Sequence, residues 1–89
     1  MVWTLHFDKE AQKQLRKLAK SPLKPLYDKA LRELQYSSDP TVLGTFKNDL
    51  GCFGYKVNKP LRILYSVFSD QNDIVIHNLG GHKQVYGKD

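Results

Sequence analysis

The sequence has few of the residues that several structural classes require. Cys52 is its one cysteine, which excludes an internal disulfide and a zinc site built from several cysteines. No apolar run approaches the roughly 20 residues of a membrane-spanning helix, so we expect no membrane partner. The first residues have neither the basic stretch nor the small-residue cleavage site of a signal peptide, and we therefore expect a cytoplasmic protein.

The composition indicates one small folded unit. The chain has 89 residues, of which 40% are hydrophobic and 26% charged, as in globular proteins, and it is too short for two cores. We therefore predict a single domain over residues 1–89.

Lysine and arginine number 14 against 9 aspartate and glutamate, which gives a formal charge of +5. This excess favours a polyanionic partner, nucleic acid or an acidic protein, although the solvated face of a helical pair would also be basic.

Apolar periodicity divides the chain into a strand, two helices and three further strands. Alternation over residues 2–7 predicts the first strand, and helical spacing follows Asp8, a suitable N-cap, with a break at Ser21-Pro22. Residues 37–48 look like a loop, and from Phe53 onward the apolar period is two. The order predicts an α+β fold: an N-terminal strand, a helical hairpin, then a three-stranded antiparallel meander, with the helices packed on one sheet face.

The turn before Leu61 determines which side chains face away from the helices. A three-residue loop over residues 58–60 pairs Val57 with Leu61, Tyr55 with Ile63 and Phe53 with Tyr65, so that these six residues share one face, whereas a two-residue loop mixes apolar and charged residues. The longer loop places Lys56 opposite Arg62 on the other face. Like charges so placed cost up to about 1 kcal/mol. They either hold an anion such as phosphate between them or extend separately into water, and geometry favours neither interpretation.

The next turn predicts the pairing of the last strand. If the two strands pair residue by residue outward from the turn at residues 69–72, Leu64 lies opposite His77 and Arg62 lies opposite Leu79. The strand would therefore end beside Arg62, where Gly80-Gly81 would allow the chain to turn back over the sheet.

The residues after these glycines can join the cationic pair. His82, Lys83 and Tyr86 would gather with the two cations at one end of one face, and such a group suits RNA phosphate and base recognition. An imidazole there can also exchange protons. The remaining candidates receive structural interpretations: His6 and His77 as surface or packing residues, Cys52 as a small apolar filler, and Trp3 and Tyr65 as core residues.

These segments also resemble a known family. Tyr55-Lys56-Val57 followed by Leu61-Arg62-Ile63-Leu64-Tyr65 looks like the central hairpin of the RelE/ParE superfamily of type II toxins. The tail Gly80-Gly81-His82-Lys83-Gln84-Val85-Tyr86 is similar to the ending of its histidine-bearing RelE and YafQ-like branch. The likeness spans nearly the whole chain. It implies a barnase-like fold and a ribosome-dependent endoribonuclease that cuts mRNA in the A site with no metal or other cofactor, and that is inhibited by a cognate antitoxin.

The resemblance also implies roles for individual residues. Arg62 would bind and stabilise the scissile phosphate with the assistance of Lys56, His82 would be the acid or base, and Tyr86 would stack on or position the RNA. The ribose 2′-OH would attack the adjacent phosphate, leaving a 2′,3′-cyclic phosphate and a 5′-OH. Further RNA contacts are expected from Lys83, Lys59, Lys47 and Asn58.

The chain departs from the family pattern at three positions. Asn58 stands where RelE-type members often have a second lysine, Lys83 replaces a frequent acidic residue, and Pro60 is unusual in the hairpin loop. Three alternative functions remain open. They are a ParE-like inhibitor of DNA gyrase, a basic RNA-binding module without catalysis, and a decayed toxin.

Overall fold

The computed structural model describes residues 2–81 as two helices and five strands. In chain order these are β1 (Thr4–Phe7), α1 (Lys9–Leu18), α2 (Lys24–Gln35), β2 (Thr45–Lys47), β3 (Cys52–Lys56), β4 (Leu61–Phe68) and β5 (Asp73–Gly81), with a short 3₁₀ helix over Pro40–Val42 before β2. The predicted α+β fold is confirmed. No helix in the described part of the chain is long and apolar enough to cross a membrane.

The strands form one mixed sheet in the order β1-β5-β4-β3-β2. β1 runs parallel to β5, and the remaining neighbours are antiparallel. The prediction of a loop through residue 48 was wrong at Thr45–Lys47, which pairs with β3 as an edge strand. Three residues are too few for an alternating pattern to be recognised. The strand is stabilised by its contact with β3, where the Phe46 ring packs edge-on against the Phe53 ring with their centroids 5.3 Å apart.

The start of α1 and the break between the two helices follow from local chemistry. The Asp8 carboxylate accepts a hydrogen bond from the Ala11 amide at 3.1 Å, which makes Asp8 the N-cap of α1. The predicted break at Ser21-Pro22 is confirmed, and α2 carries Pro25 in its first turn, where a missing amide hydrogen costs little.

The core lies between the helices and one face of the sheet. The apolar residues of β4 and β5 form its centre, with Ile63, Tyr65, Ile74 and Ile76 fully buried. Trp3 is buried as predicted, and its indole nitrogen donates to the Ser37 carbonyl at 2.9 Å, which connects the start of the chain to the end of α2. No helix of residues 2–81 packs on the opposite sheet face, which we call the open face; Cys52 and Leu64 form a small buried cluster on it, and Lys56 is exposed there.

Candidate functional site

The open face of the sheet carries the predicted cationic pair. β3 and β4 are joined by a three-residue loop, and Lys56 lies directly opposite Arg62. Both residues alternate with residues packed in the core, so their side chains lie on the face away from the helices. The predicted loop length and register are confirmed.

Arg62 is held against the turn that it follows. Its Nη1 donates to three carbonyl oxygens, those of Asn58, Lys59 and Leu61, at 2.7, 2.8 and 3.1 Å. The Asn58 side chain closes the same turn by accepting from the Leu61 amide at 3.1 Å. Among residues 2–81, these bonds occupy only Nη1 of the guanidinium, which leaves Nη2 and Nε to meet a phosphate from the open side.

Lys56 and Lys59 supply further positive charge at this end of the sheet. Both are exposed, and neither has an ion-pair partner among the described residues. Together with Arg62 they surround the turn with three cations. A phosphate placed there would be attracted by all of them and would relieve their mutual repulsion.

Lys47 is separated from this group. It lies in β2 opposite Cys52, and Cys52 is four residues from Lys56 along β3, a distance of about 13 Å in an extended strand. Of the predicted RNA contacts, the structure therefore brings Asn58 and Lys59 to the cationic pair and places Lys47 at the other end of the sheet.

The last strand differs from the predicted pairing. Leu64 lies opposite Asn78 and Arg62 opposite Gly80, because a β-bulge between Leu64 and Tyr65 shifts the register by one residue. The predicted partners, His77 and Leu79, were therefore wrong. The physical reason is burial: the shift moves Leu79 to the core face opposite Ile63, where it is 3% exposed.

β5 ends beside the cationic pair, but it remains a strand where the sequence predicts a turn. Gly80 and Gly81 do not turn the chain back within the described residues but continue the strand, paired with Arg62 and Leu61. The Tyr27 hydroxyl donates to the Gly80 carbonyl at 3.0 Å from the core side, and burial raises the Tyr27 pKa to about 12. The predicted site residues His82, Lys83 and Tyr86 lie outside the described residues.

Among residues 2–81, two of the three cations at this turn, Lys56 and Lys59, are exposed. The cleft nearest to this end of the sheet, of about 390 Å³, opens on the helix side between Leu18, Tyr27 and Pro60. The cations face the other way, towards solvent. An exposed cationic surface can follow an extended polymer backbone better than it can enclose a small molecule.

The sequence-based interpretation missed a second polar group on the open face. His77 contacts Ser66 through Nε2 at 2.7 Å and Asp8 through Nδ1 at 2.9 Å. Asp8 and His77 are 69 residues apart, so no local pattern connects them. One signal was present: the apolar spacing changes from two to three between Ile76 and Leu79, which indicates a bulge at the histidine.

The other residues without an assigned role are placed much as expected. His6 is exposed and lies 3.1 Å from an Asp73 carboxylate oxygen. Cys52 is buried, and burial, together with the Asp49 charge, raises the pKa of its thiol, which disfavours the nucleophilic thiolate. Residues 2–81 hold no group of three histidine, cysteine or acidic side chains that could bind a metal ion.

Comparison with known proteins finds similarity in structure. No protein-family model matches the chain, and no curated protein matches its sequence. Among solved structures, a metal-bound toxin from Helicobacter pylori is 22% identical with a TM-score of 0.69, over 96% of this chain and 99% of the other. The toxin–antitoxin complex RelBE2 from Mycobacterium tuberculosis contains a chain that is 22% identical with a TM-score of 0.61, covering 92% and 100%.

A third structure has the same fold. The YoeB–YefM complex from Staphylococcus aureus contains a chain that is 18% identical with a TM-score of 0.68, over 92% of this chain and 99% of the other. The protein therefore has the fold found in toxins of toxin–antitoxin systems, along nearly its whole length.

Proposed function

We propose that the protein is the toxin of a type II toxin–antitoxin system and that it cleaves mRNA on translating ribosomes. The observation that carries the proposal is the Lys56–Arg62 pair, two opposed cations on the open sheet face, within the fold of known toxins. Two of the similar structures are complexes, one of them described as toxin–antitoxin, which supports a cognate antitoxin as the partner.

The cationic pair would stabilise the phosphate at which the strand is cut. The ribose 2′-OH attacks the adjacent phosphorus, the bond from phosphorus to the 5′ oxygen breaks, and the products are a 2′,3′-cyclic phosphate and a 5′-OH. Negative charge on the phosphate oxygens is met by Arg62 and Lys56. Loss of one such contact lowers rates by about 10²–10³-fold in enzymes that stabilise an oxyanion.

The acid or base in this proposal is His82, the residue that follows β5. Gly81 pairs with Leu61, the neighbour of Arg62. In this proposal the histidine that is next in the sequence acts beside the cations. Tyr86 would stack on a base, and Lys83, Lys59 and Asn58 would contact the RNA near the cut, with Lys47 further along the strand.

Mapping of transcript 5′ ends after induced expression tests this proposal. The protein and its Arg62→Ala and His82→Ala variants are expressed to equal levels, with Lys13→Ala, an exposed lysine of α1, as the control. We expect cuts phased with the reading frame for the parent and the control, and none for the two site variants. Intact transcripts with loss of gyrase supercoiling would indicate the gyrase inhibitor instead. Intact transcripts with normal gyrase activity would indicate a binding module or a decayed toxin.

A further inference from the structure

A continuous chain of hydrogen bonds on the open face joins Ser66 of β4, His77 of β5 and Asp8, the N-cap of α1. Ser66 Oγ lies 2.7 Å from His77 Nε2, and His77 Nδ1 lies 2.9 Å from Asp8 Oδ2. The order is hydroxyl, imidazole and carboxylate, the order of a nucleophilic triad. The group is separate from the proposed nuclease site, because Ser66 is four residues beyond Arg62 on β4, about 13 Å along the strand.

The carboxylate favours one arrangement of the protons in this hydrogen-bond chain. A carboxylate only accepts hydrogen bonds, so His77 Nδ1 is the donor when it bonds to the Asp8 carboxylate. In the neutral ring Nε2 then has a free lone pair, and the Ser66 hydroxyl donates to it. This is the tautomer that allows a histidine to remove a proton from a serine hydroxyl.

The backbone holds the imidazole in this orientation. His77 lies at the β-bulge of β5, and bulges redirect side chains and are frequent beside active sites. Hydrogen bonds hold both the side chain and the backbone of Asp8. Its second carboxylate oxygen accepts from the Ala11 amide at 3.1 Å, and its backbone amide donates to the Ile76 carbonyl at 3.0 Å. The base is therefore preorganised before any substrate arrives.

The group is also accessible. The side chains of His77 and Asp8 are 36% and 39% exposed, and Ser66 is half-buried on a face that no helix of the described residues covers. A buried hydrogen-bond chain would only stabilise the fold, whereas this one can be reached by a small molecule from solvent.

We propose that Ser66, His77 and Asp8 form a second reactive site, in which Ser66 accepts the acyl group of a small activated ester. Ser66 Oγ forms a bond to the carbonyl carbon and passes its proton to His77 Nε2. The ester carbon–oxygen bond then breaks, and the alcohol leaves with that proton. Water, deprotonated by the same nitrogen, releases the acid and returns the proton to Ser66. Asp8 acts as a positioning residue, because its carboxylate favours the His77 tautomer that carries its proton on Nδ1.

A fluorophosphonate probe tests this site on the full-length protein without RNA or ribosomes, so the outcome is independent of the proposed nuclease. Ser66 Oγ displaces fluoride from phosphorus, its proton passes to His77, and the stable adduct is located by peptide mass spectrometry. The matched control within the chain is Ser69, an exposed serine three residues further on. We expect the adduct on Ser66, none on Ser69, and none at this position in Ser66→Ala.

Two variants separate a reactive site from a structural hydrogen-bond chain. His77→Gln removes the base, and Asp8→Asn removes the charge while keeping an oxygen that can cap α1, so it should fold. Labelling of Ser66, expressed per folded protein, should fall by about 10²–10⁴-fold in both variants. An unlabelled Ser66 in the parent protein, equal labelling of Ser69, or a rate unchanged by either variant would overturn the proposal.

Discussion

Lys56 and Arg62 lie directly opposite each other on neighbouring antiparallel strands, two positive charges on the open face of the sheet. Arg62 is anchored to the preceding turn by three carbonyl oxygens, whereas Lys56 is exposed. The sheet therefore fixes one cation and presents a second beside it. Such an arrangement is unfavourable in the free protein and favourable once an anion lies between the two.

Removal of one charge should therefore stabilise the free protein. We expect Lys56→Gln to raise the free energy of unfolding by a few tenths to about 1 kcal/mol, because it removes a directly opposed like charge. Urea unfolding at low salt measures this change. Lys13→Gln on α1 is the control and should stay within about 0.5 kcal/mol of the parent. Destabilisation by Lys56→Gln would mean that the two cations do not repel each other as the register implies.

Arg62 should stabilise the turn over residues 58–60 as well as bind the phosphate. We expect Arg62→Lys to lower the free energy of unfolding by about 1–2 kcal/mol, since an ammonium group cannot reproduce the contacts of Nη1 with three carbonyls, and the site is partly solvated. Arg32→Lys, at an exposed position of α2, provides the comparison. Equal stability of the two variants would show that the carbonyl contacts contribute nothing.

Gly44 should tolerate no side chain, because it lies against β4 and β3. A Cβ atom added there would be 2.5 Å from the Tyr65 hydroxyl and 2.9 Å from the Gly54 carbonyl oxygen. We expect Gly44→Ala to destabilise the protein by about 1–3 kcal/mol in thermal or urea unfolding. In combination with Tyr65→Phe, which removes the nearer atom, the loss should be smaller than the sum of the two single losses. Strict additivity would contradict the proposed contact.

Alkaline pH should destabilise the protein through Tyr27, which is buried, and Tyr55, which is half-buried. Burial raises the pKa of Tyr27 to about 12, and burial with the Glu33 hydrogen bond and charge raises that of Tyr55 to about 12, from 10.0 in each case. The folded state thus favours the neutral phenol. This stabilisation is complete below pH 10 and is lost as the pH rises towards 12. Urea unfolding across that range should show falling stability, with a shallower slope in Tyr27→Phe. An equal slope in both proteins would contradict this source of the pH dependence.

The central hairpin was predictable because its chemistry is local. Alternation in β3 and β4 leaves one loop length that keeps Tyr55 and Ile63 on the buried side, and that length alone places Lys56 opposite Arg62. The capping of α1 by Asp8 and the break at Ser21-Pro22 follow equally from neighbouring residues.

The features that sequence reasoning missed depend on distant contacts. β2 is too short to show a period, and it forms because β3 offers it a partner. The bulge at His77 forms because Leu79 gains burial opposite Ile63 when the register shifts. The Asp8–His77 contact joins residues 69 positions apart and exists only once β1 and β5 lie side by side.

Single-turnover cleavage of mRNA on translating ribosomes tests the function of the cationic pair most directly. The purified protein is compared with Lys56→Gln and with Lys13→Gln, and rates are expressed per folded molecule. We predict that Lys56→Gln cuts about 10²–10³-fold more slowly while being at least as stable as the parent, and that Lys13→Gln keeps the parent rate. A Lys56→Gln protein that cuts at the parent rate would show that the opposed cations do not bind the scissile phosphate.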